Sequence, residues 1–326
     1  MTETTRDWYL RAAGELAATS ARQVAWCLGV ADDPRMRELL ERLPRPARQP
    51  SLLFAVAGYL GAPDADYPAW AEWVLEHRDA VLAELPTRRV QTNEPNRCVP
   101  LLVALARIPG PIALVELGAS AGLCLLVDRY GYRFRTGGAA VELGAGAPVL
   151  TAHLDAPLVP GALPDIRWRR GVDLAPLDVG DSDDMRWLEA SLPPDDPERL
   201  ARLRDAVATA RAGAPELVAG DALASLAGLA AAAPPGATLV VASLGTAVYL
   251  APAERARLLG AIRELGGRAV TFETRSALPE VAERWEALAA EGRVDPAARF
   301  VLALDGEPLA SGAAHGTRLA AVTAPS

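Results

Sequence analysis

Lysine is missing from the chain altogether, so all 33 basic side chains are arginine, set against 41 acidic ones. Arginine in place of lysine is a compositional bias with no functional reading of its own. The resulting net charge of -8 and pI near 5.1 exclude a broad electrostatic footprint for nucleic acid or anionic lipid. The local cluster Arg167, Arg169 and Arg170 does not change that balance. Cysteine is scarce as well. Cys27, Cys98 and Cys124 are widely spaced, odd in number and form no CxxC pair, which excludes a disulfide framework and a zinc site and suits a reducing cytoplasm. The three histidines, His77, His153 and His315, are dispersed without ligand spacing, so no metal is expected. No apolar signal core follows Met1, which argues against secretion. No apolar run is long enough for a bilayer either. The uncharged stretch Ala222 to Ala253 is cut by Pro234, Pro235 and Gly236 and reads as a buried helix followed by a buried strand.

What is present is apolar. An apolar fraction of 51% over 326 residues is ample for a buried core, in one large domain or two ordinary ones. Up to about Ile108 the apolar residues recur at three and four spacing between Pro and Gly punctuation, which predicts a helical subdomain over residues 1–108. Trp8, Trp26, Trp70 and Trp73 fall on these helical faces and read as its aromatic core. Beyond Pro109 short aliphatic runs alternate with amphipathic segments, the pattern of a parallel sheet covered on both faces, and residues 109–326 are expected to form an α/β domain. Strands are predicted at Ile112 to Leu117, Ile166 to Val172, Glu216 to Ala219, Thr238 to Leu244 and Arg268 to Phe272. Helices are predicted at Ala121 to Tyr130, Ser182 to Ala212 with a break at "PPDDP", Ala222 to Ala232, Ala253 to Leu265 and Leu278 to Glu291. The C-terminal stretch from Arg299 reads as two strands forming an antiparallel closing pair, and residues 133–164 as an insertion, either loop or hairpin.

The first strand runs into "LVELGASAGLCLLVDRY", which admits three parsings. As a dinucleotide loop, G-x-G-x-x-G, it fails at two positions, because Ser120 and Leu123 stand where glycines belong. As a hydrolase elbow, G-x-S-x-G, it matches at Gly118, Ser120 and Gly122, and His315 keeps the expected chain order, but no strands precede it. As E-x-G-x-S-x-G, from Glu116 to Gly122 at the end of a first strand, it resembles motif I of class I S-adenosylmethionine-dependent methyltransferases, with Ser120 in place of the middle glycine. Asp173 in "RRGVDLAP" and Asp221 in "ELVAGDAL" end the next two strands. In that superfamily such acids accept hydrogen bonds from the ribose hydroxyls and the adenine amino group. Glu142 in "AVELGAG" is the alternative ribose ligand. The resemblance covers Pro109 to the C-terminus and implies a Rossmann-like, mostly parallel sheet with an antiparallel closing pair. It also implies S-adenosylmethionine as cofactor, with small residues and free helix-start amides meeting its methionine end. "TNEPNR" followed by the motif and "GVDLAPLD" further resembles an uncharacterised bacterial family, a domain of unknown function spanning nearly the whole chain.

Methyl transfer from a sulfonium needs orientation and a desolvated site more than an enzyme nucleophile. Asn93, Glu94 and Arg97 in "VQTNEPNRC" are the substrate-side candidates, with a helix start capped by Thr92 or Asn93 and carrying Pro95 in its first turn as the competing reading. Tyr249 after the fourth strand is a substrate contact or a packing residue, and His315 is the candidate general base or a turn histidine beside Gly316. The helical subdomain is expected to act as a lid and the acceptor to be a small molecule, with no nucleic-acid or membrane partner and the oligomeric state open. Two other functions stay open: a non-catalytic binding module on the same fold, and a serine hydrolase using Ser120.

Overall fold

A computed structural model describes residues 3–324, so that the start of the polar stretch read at Met1 lies outside the described residues. The chain up to Thr92, together with Gly180–Ala201, forms one compact unit, and Asn93–Val179 with the chain from Arg202 onward forms another. The division therefore falls earlier than the expected boundary at 108, and the segment around 190 joins the helical unit.

Six helices open the chain: α1 (Thr5–Leu16), α2 (Ala21–Asp32), α3 (Pro34–Glu41), α4 (Pro50–Leu60), α5 (Tyr67–Glu76) and α6 (Arg78–Glu84). The helix α7 (Cys98–Leu105) belongs to the second unit, α8 (Ser182–Ala190) returns to the first, and α9 (Pro197–Arg211) carries the chain from one to the other. Starts are set by local chemistry. Thr4, Ser20 and Asp33 accept first-turn amides of α1, α2 and α3, and Pro34 and Pro50 occupy the first helical positions of α3 and α4. The aromatic core forms around Trp26 and Trp70, stacked at 4.8 Å with Phe54 packed against both. Trp8 and Trp73 are only half-buried, one under the Arg45 guanidinium and the other stacked on His77.

The second unit is built on an eleven-stranded mixed sheet, mostly parallel. In chain order the strands are β1 (Ile112–Leu117), β2 (Gly131–Thr136), β3 (Ala139–Leu143), β4 (Val149–Leu154), β5 (Ile166–Asp173), β6 (Glu216–Ala219), β7 (Thr238–Ser243), β8 (Arg268–Thr274), β9 (Phe300–Leu304), β10 (Glu307–Gly312) and β11 (Arg318–Ala321). Across the sheet they run β3-β2-β4-β11-β10-β9-β8-β7-β1-β5-β6. The five strands expected from the sequence are β1, β5, β6, β7 and β8. Their parallel order places β1 beside both β5 and β7, so the winding reverses between β1 and β7. Open sheets of this kind hold ligands outside the carboxyl ends of their strands at that reversal.

The helices α10 (Ala222–Ala231), α11 (Pro252–Glu264) and α12 (Pro279–Ala290) cover one face, burying Leu226, Leu258, Ile262 and Trp285 against Val115, Leu117 and Val241. Because side chains alternate along a strand, Leu114 and Glu116 point to the opposite face. The uncharged stretch is α10 followed by β7, as expected, and no helix among the described residues is long and apolar enough to cross a membrane.

Two expectations need correction, and one open choice is resolved. Residues 121–130 do not form an α-helix; a single 3-10 turn, Leu123–Leu126, follows β1. Its apolar residues are buried on every side, and its carbonyls are claimed by side chains. Tyr130 Oη donates to Leu123 O (2.8 Å), Arg169 Nη1 to Leu125 O (2.8 Å) and Tyr132 Oη to Val127 O (2.5 Å). Of the two alternatives left open for the insertion, the hairpin is the one present: β2 and β3 form it, and with β4 they extend the sheet. The C-terminal segment forms three strands, β9 to β11, joined antiparallel.

Candidate functional site

The turn after β1 is shaped by close contacts that only glycine allows. Gly118 has φ +69°, and a Cβ there would fall 2.2 to 2.9 Å from the side chain of Thr246 in the turn after β7. The two turns that flank the reversal therefore touch. Ser120 also adopts a left-handed conformation, φ +52°, where a side chain is strained. Its hydroxyl is buried and has no hydrogen-bond partner. No base contacts it, and His315 is not bonded to it.

Most amides of this turn are not free. Gly118 N and Ala119 N donate to Val172 O, Ser120 N to Asp173 Oδ2 (2.9 Å), Gly122 N to Ala119 O and Leu123 N to Asn93 Oδ1 (2.9 Å). With no α-helix start behind it and five of the six amides from Gly118 to Leu123 spent inside the protein, the turn keeps little of the amide cradle expected for a carboxylate. Asp173 ends β5 half-buried, each oxygen accepting one amide, from Ser120 and from Ala175 (3.0 Å). A carboxylate offers about four acceptor positions, so it retains capacity for hydroxyl donors. Asp221 is the exposed N-cap of α10, accepting Ala224 N through Oδ1 (2.9 Å). Both structural and binding roles are open to it through its other oxygen. Glu142 is excluded as their substitute: it lies on β3, at the sheet edge opposite β6, and pairs there with Arg133.

Glu116, next to the end of β1, is 3% exposed, and its Oε2 meets no donor. Burial pushes its carboxyl well above the usual carboxylate range, reinforced by Cys124 and opposed by the nearby Arg97. A second acid, not anticipated from the sequence, closes the other side. Glu273, on β8, accepts at Oε1 the Ser243 hydroxyl (2.7 Å) and the consecutive amides of Gly245, Thr246 and Ala247 (2.9 to 3.0 Å). It thus fixes the turn after β7. Its Oε2 is buried and unbonded, and burial raises its carboxyl despite the four donors. The only cue in the sequence was a lone acid closing an otherwise apolar strand, "AVTFET".

"TNEPNR" divides its labour. Asn93 holds the turn after β1, and Asn96 Nδ2 donates to His315 O (3.1 Å). Glu94, fully buried, caps the 3-10 turn Pro95–Arg97 by accepting Asn96 N (3.1 Å) and pairs with Arg202 Nε (2.8 Å). The cap is therefore Glu94, not Thr92 or Asn93. Arg97 reaches the turn after β7: Nη1 donates to Leu244 O (2.7 Å), and its guanidinium lies so close over Gly245 that a Cβ there would fall 2.9 Å from Nη1. Its Nε is buried without an acceptor. Tyr249 is 79% exposed, which rules out the packing role. His315 lies in the turn between β10 and β11, which Asn96 binds.

The fold and site define an α/β protein with a mostly parallel mixed sheet and a candidate ligand site where the strand order reverses. The chain belongs to the family described as "Uncharacterized protein conserved in bacteria (DUF2332)", whose model matches residues 6–320. No curated protein and no solved structure matches the chain.

Proposed function

We propose that this protein is an S-adenosylmethionine-dependent methyltransferase acting on a small-molecule acceptor, with a Rossmann-like core of the class I type. The observation that carries the reading is the row of acids Glu116, Asp173 and Asp221 at the carboxyl ends of the adjacent strands β1, β5 and β6, beside the Gly118–Thr246 contact. When bound, the cofactor supplies an electrophilic methyl group. Asp173 keeps acceptor capacity for a ribose diol, and Asp221 Oδ2 for an exocyclic amine. Exposed Tyr249 contacts the acceptor at the rim, and His315 takes its proton. Calorimetric titration with S-adenosylmethionine and S-adenosylhomocysteine tests the reading, with binding of both expected. Absence of heat and of any thermal shift for folded protein would overturn it.

A second reading, a non-catalytic module on the same fold, draws on one observation: most amides of the turn after β1 are already engaged inside the protein. Ligand binding with no turnover on any acceptor would favour it. Against the hydrolase reading, Ser120 Oγ is buried and hydrogen-bonded to no base. A fluorophosphonate is therefore expected to leave Ser120 unlabelled.

A further inference from the structure

We propose that Arg97 is the group that binds the carboxylate of the ligand's amino-acid end, doing the work of the backbone amides that the turn after β1 has mostly spent inside the protein. The inference rests on the cofactor reading above. Three observations converge on it. Most donors that would ordinarily meet a carboxylate at this turn are taken: of the six amides from Gly118 to Leu123, five donate to Val172 O, Asp173, Ala119 O and Asn93. Arg97 is the cation at the reversal point, lying on Gly245, whose neighbour Thr246 touches Gly118, so it borders both turns. Its guanidinium is also underused: Nη1 binds Leu244 O, Nη2 makes no hydrogen bond, and Nε is buried with no acceptor. A buried donor without an acceptor is a costly feature unless something fills it.

The surroundings suit an incoming anion better than the residue types suggest. Two acids face Arg97, but Glu273 Oε1 is saturated by a hydroxyl and three amides. Glu116 is buried, with its carboxyl pushed towards the neutral acid, so it does not cancel the guanidinium. Arg97 forms no ion pair with either. A carboxylate is the natural partner for a planar guanidinium with an open edge, Nε with Nη2, because both offer two atoms in one plane.

The test compares S-adenosylhomocysteine with its decarboxylated analogue, which keeps the nucleoside and the amine, by calorimetry on the full chain. Wild-type protein is expected to prefer the carboxylate form by about 10- to 100-fold, the range of a charge-assisted hydrogen bond. Arg97→Gln should bring the ratio close to one while leaving affinity for the decarboxylated analogue within about threefold, and Arg97→Lys should restore part of the preference. Because the ratio is measured within each variant, loosening of the turn by loss of the Leu244 contact cancels out of it. A preference unchanged in Arg97→Gln overturns the assignment while the cofactor reading survives. Failure of wild-type protein to bind either compound overturns both.

Discussion

The turns after β1 and β7 meet at one point and are built on one plan, yet they were unequally visible beforehand. Each is held by side-chain oxygens: Asp173 and Asn93 bind the first, Glu273 binds the second. In the first turn the anchors belong to stretches already conspicuous as motifs. In the second a single carboxyl gathers three successive amides from a neighbouring strand, and nothing local announces it. The comparison teaches that both turns are fixed by the protein itself rather than left open for a ligand to order. On the proposed reading, recognition at this site falls to the side chains Asp173, Asp221 and Arg97 more than to backbone.

If the second turn depends on one anchor, Glu273→Ala is its largest perturbation. It strips the acceptor from one hydroxyl and three amides and should cost about 3 to 5 kcal/mol in urea denaturation. Glu273→Gln, which keeps an acceptor oxygen, should cost under about 1.5 kcal/mol. Equal costs would show that the charge, not the acceptor, anchors the turn.

The contact between the turns is probed by Gly118→Ala, which combines a left-handed backbone with a collision against Thr246 and should cost about 2 to 4 kcal/mol. The double variant Gly118→Ala with Thr246→Ala should recover part of this by removing the hydroxyl and the methyl. No recovery would leave the backbone as the whole cause.

Glu116 sharpens the comparison through pH. An acid whose folded-state value is raised holds its proton more tightly folded than unfolded. Its contribution to stability is therefore greatest below the ordinary carboxylate range and falls as pH climbs from there towards the raised value. Glu116→Gln removes that penalty. At pH 8 the variant should be more stable than wild type by about 1 to 2 kcal/mol, with the difference shrinking towards pH 4, as read from denaturation midpoints. A difference independent of pH would mean that Glu116 titrates normally.

The smallest effect belongs to Ser120. Ser120→Gly relieves the left-handed strain and should stabilise by about 0.5 to 1 kcal/mol, or leave stability unchanged, without loss of ligand affinity. A loss of affinity would assign the hydroxyl a direct role that its lack of partners does not suggest.

Strand positions for β1, β7 and β8 were legible because a strand buried on both faces needs a nearly unbroken apolar run, and few other elements do, whereas β5 and β6 are only partly buried and followed from their place in the alternation. The helices α10 to α12 were legible from period and punctuation. The acids Glu116, Asp173 and Asp221 followed from knowing where strands end. Hidden were the features that depend on a partner distant in the chain. The segment 121–130 carries helical composition, but Tyr130, Tyr132 and Arg169 take its carbonyls, a decision made by residues up to 44 positions away. Glu94 as cap and ion-pair partner of Arg202, and Glu273 as anchor of the second turn, belong to the same kind. Local sequence thus determined which segments are strands, which glycines turn and which acids end them, because those follow from periodicity and short-range sterics. Tertiary structure decided which amides of the motif are engaged inside the protein and by which side chains, because hydrogen-bond partners are chosen by proximity in space.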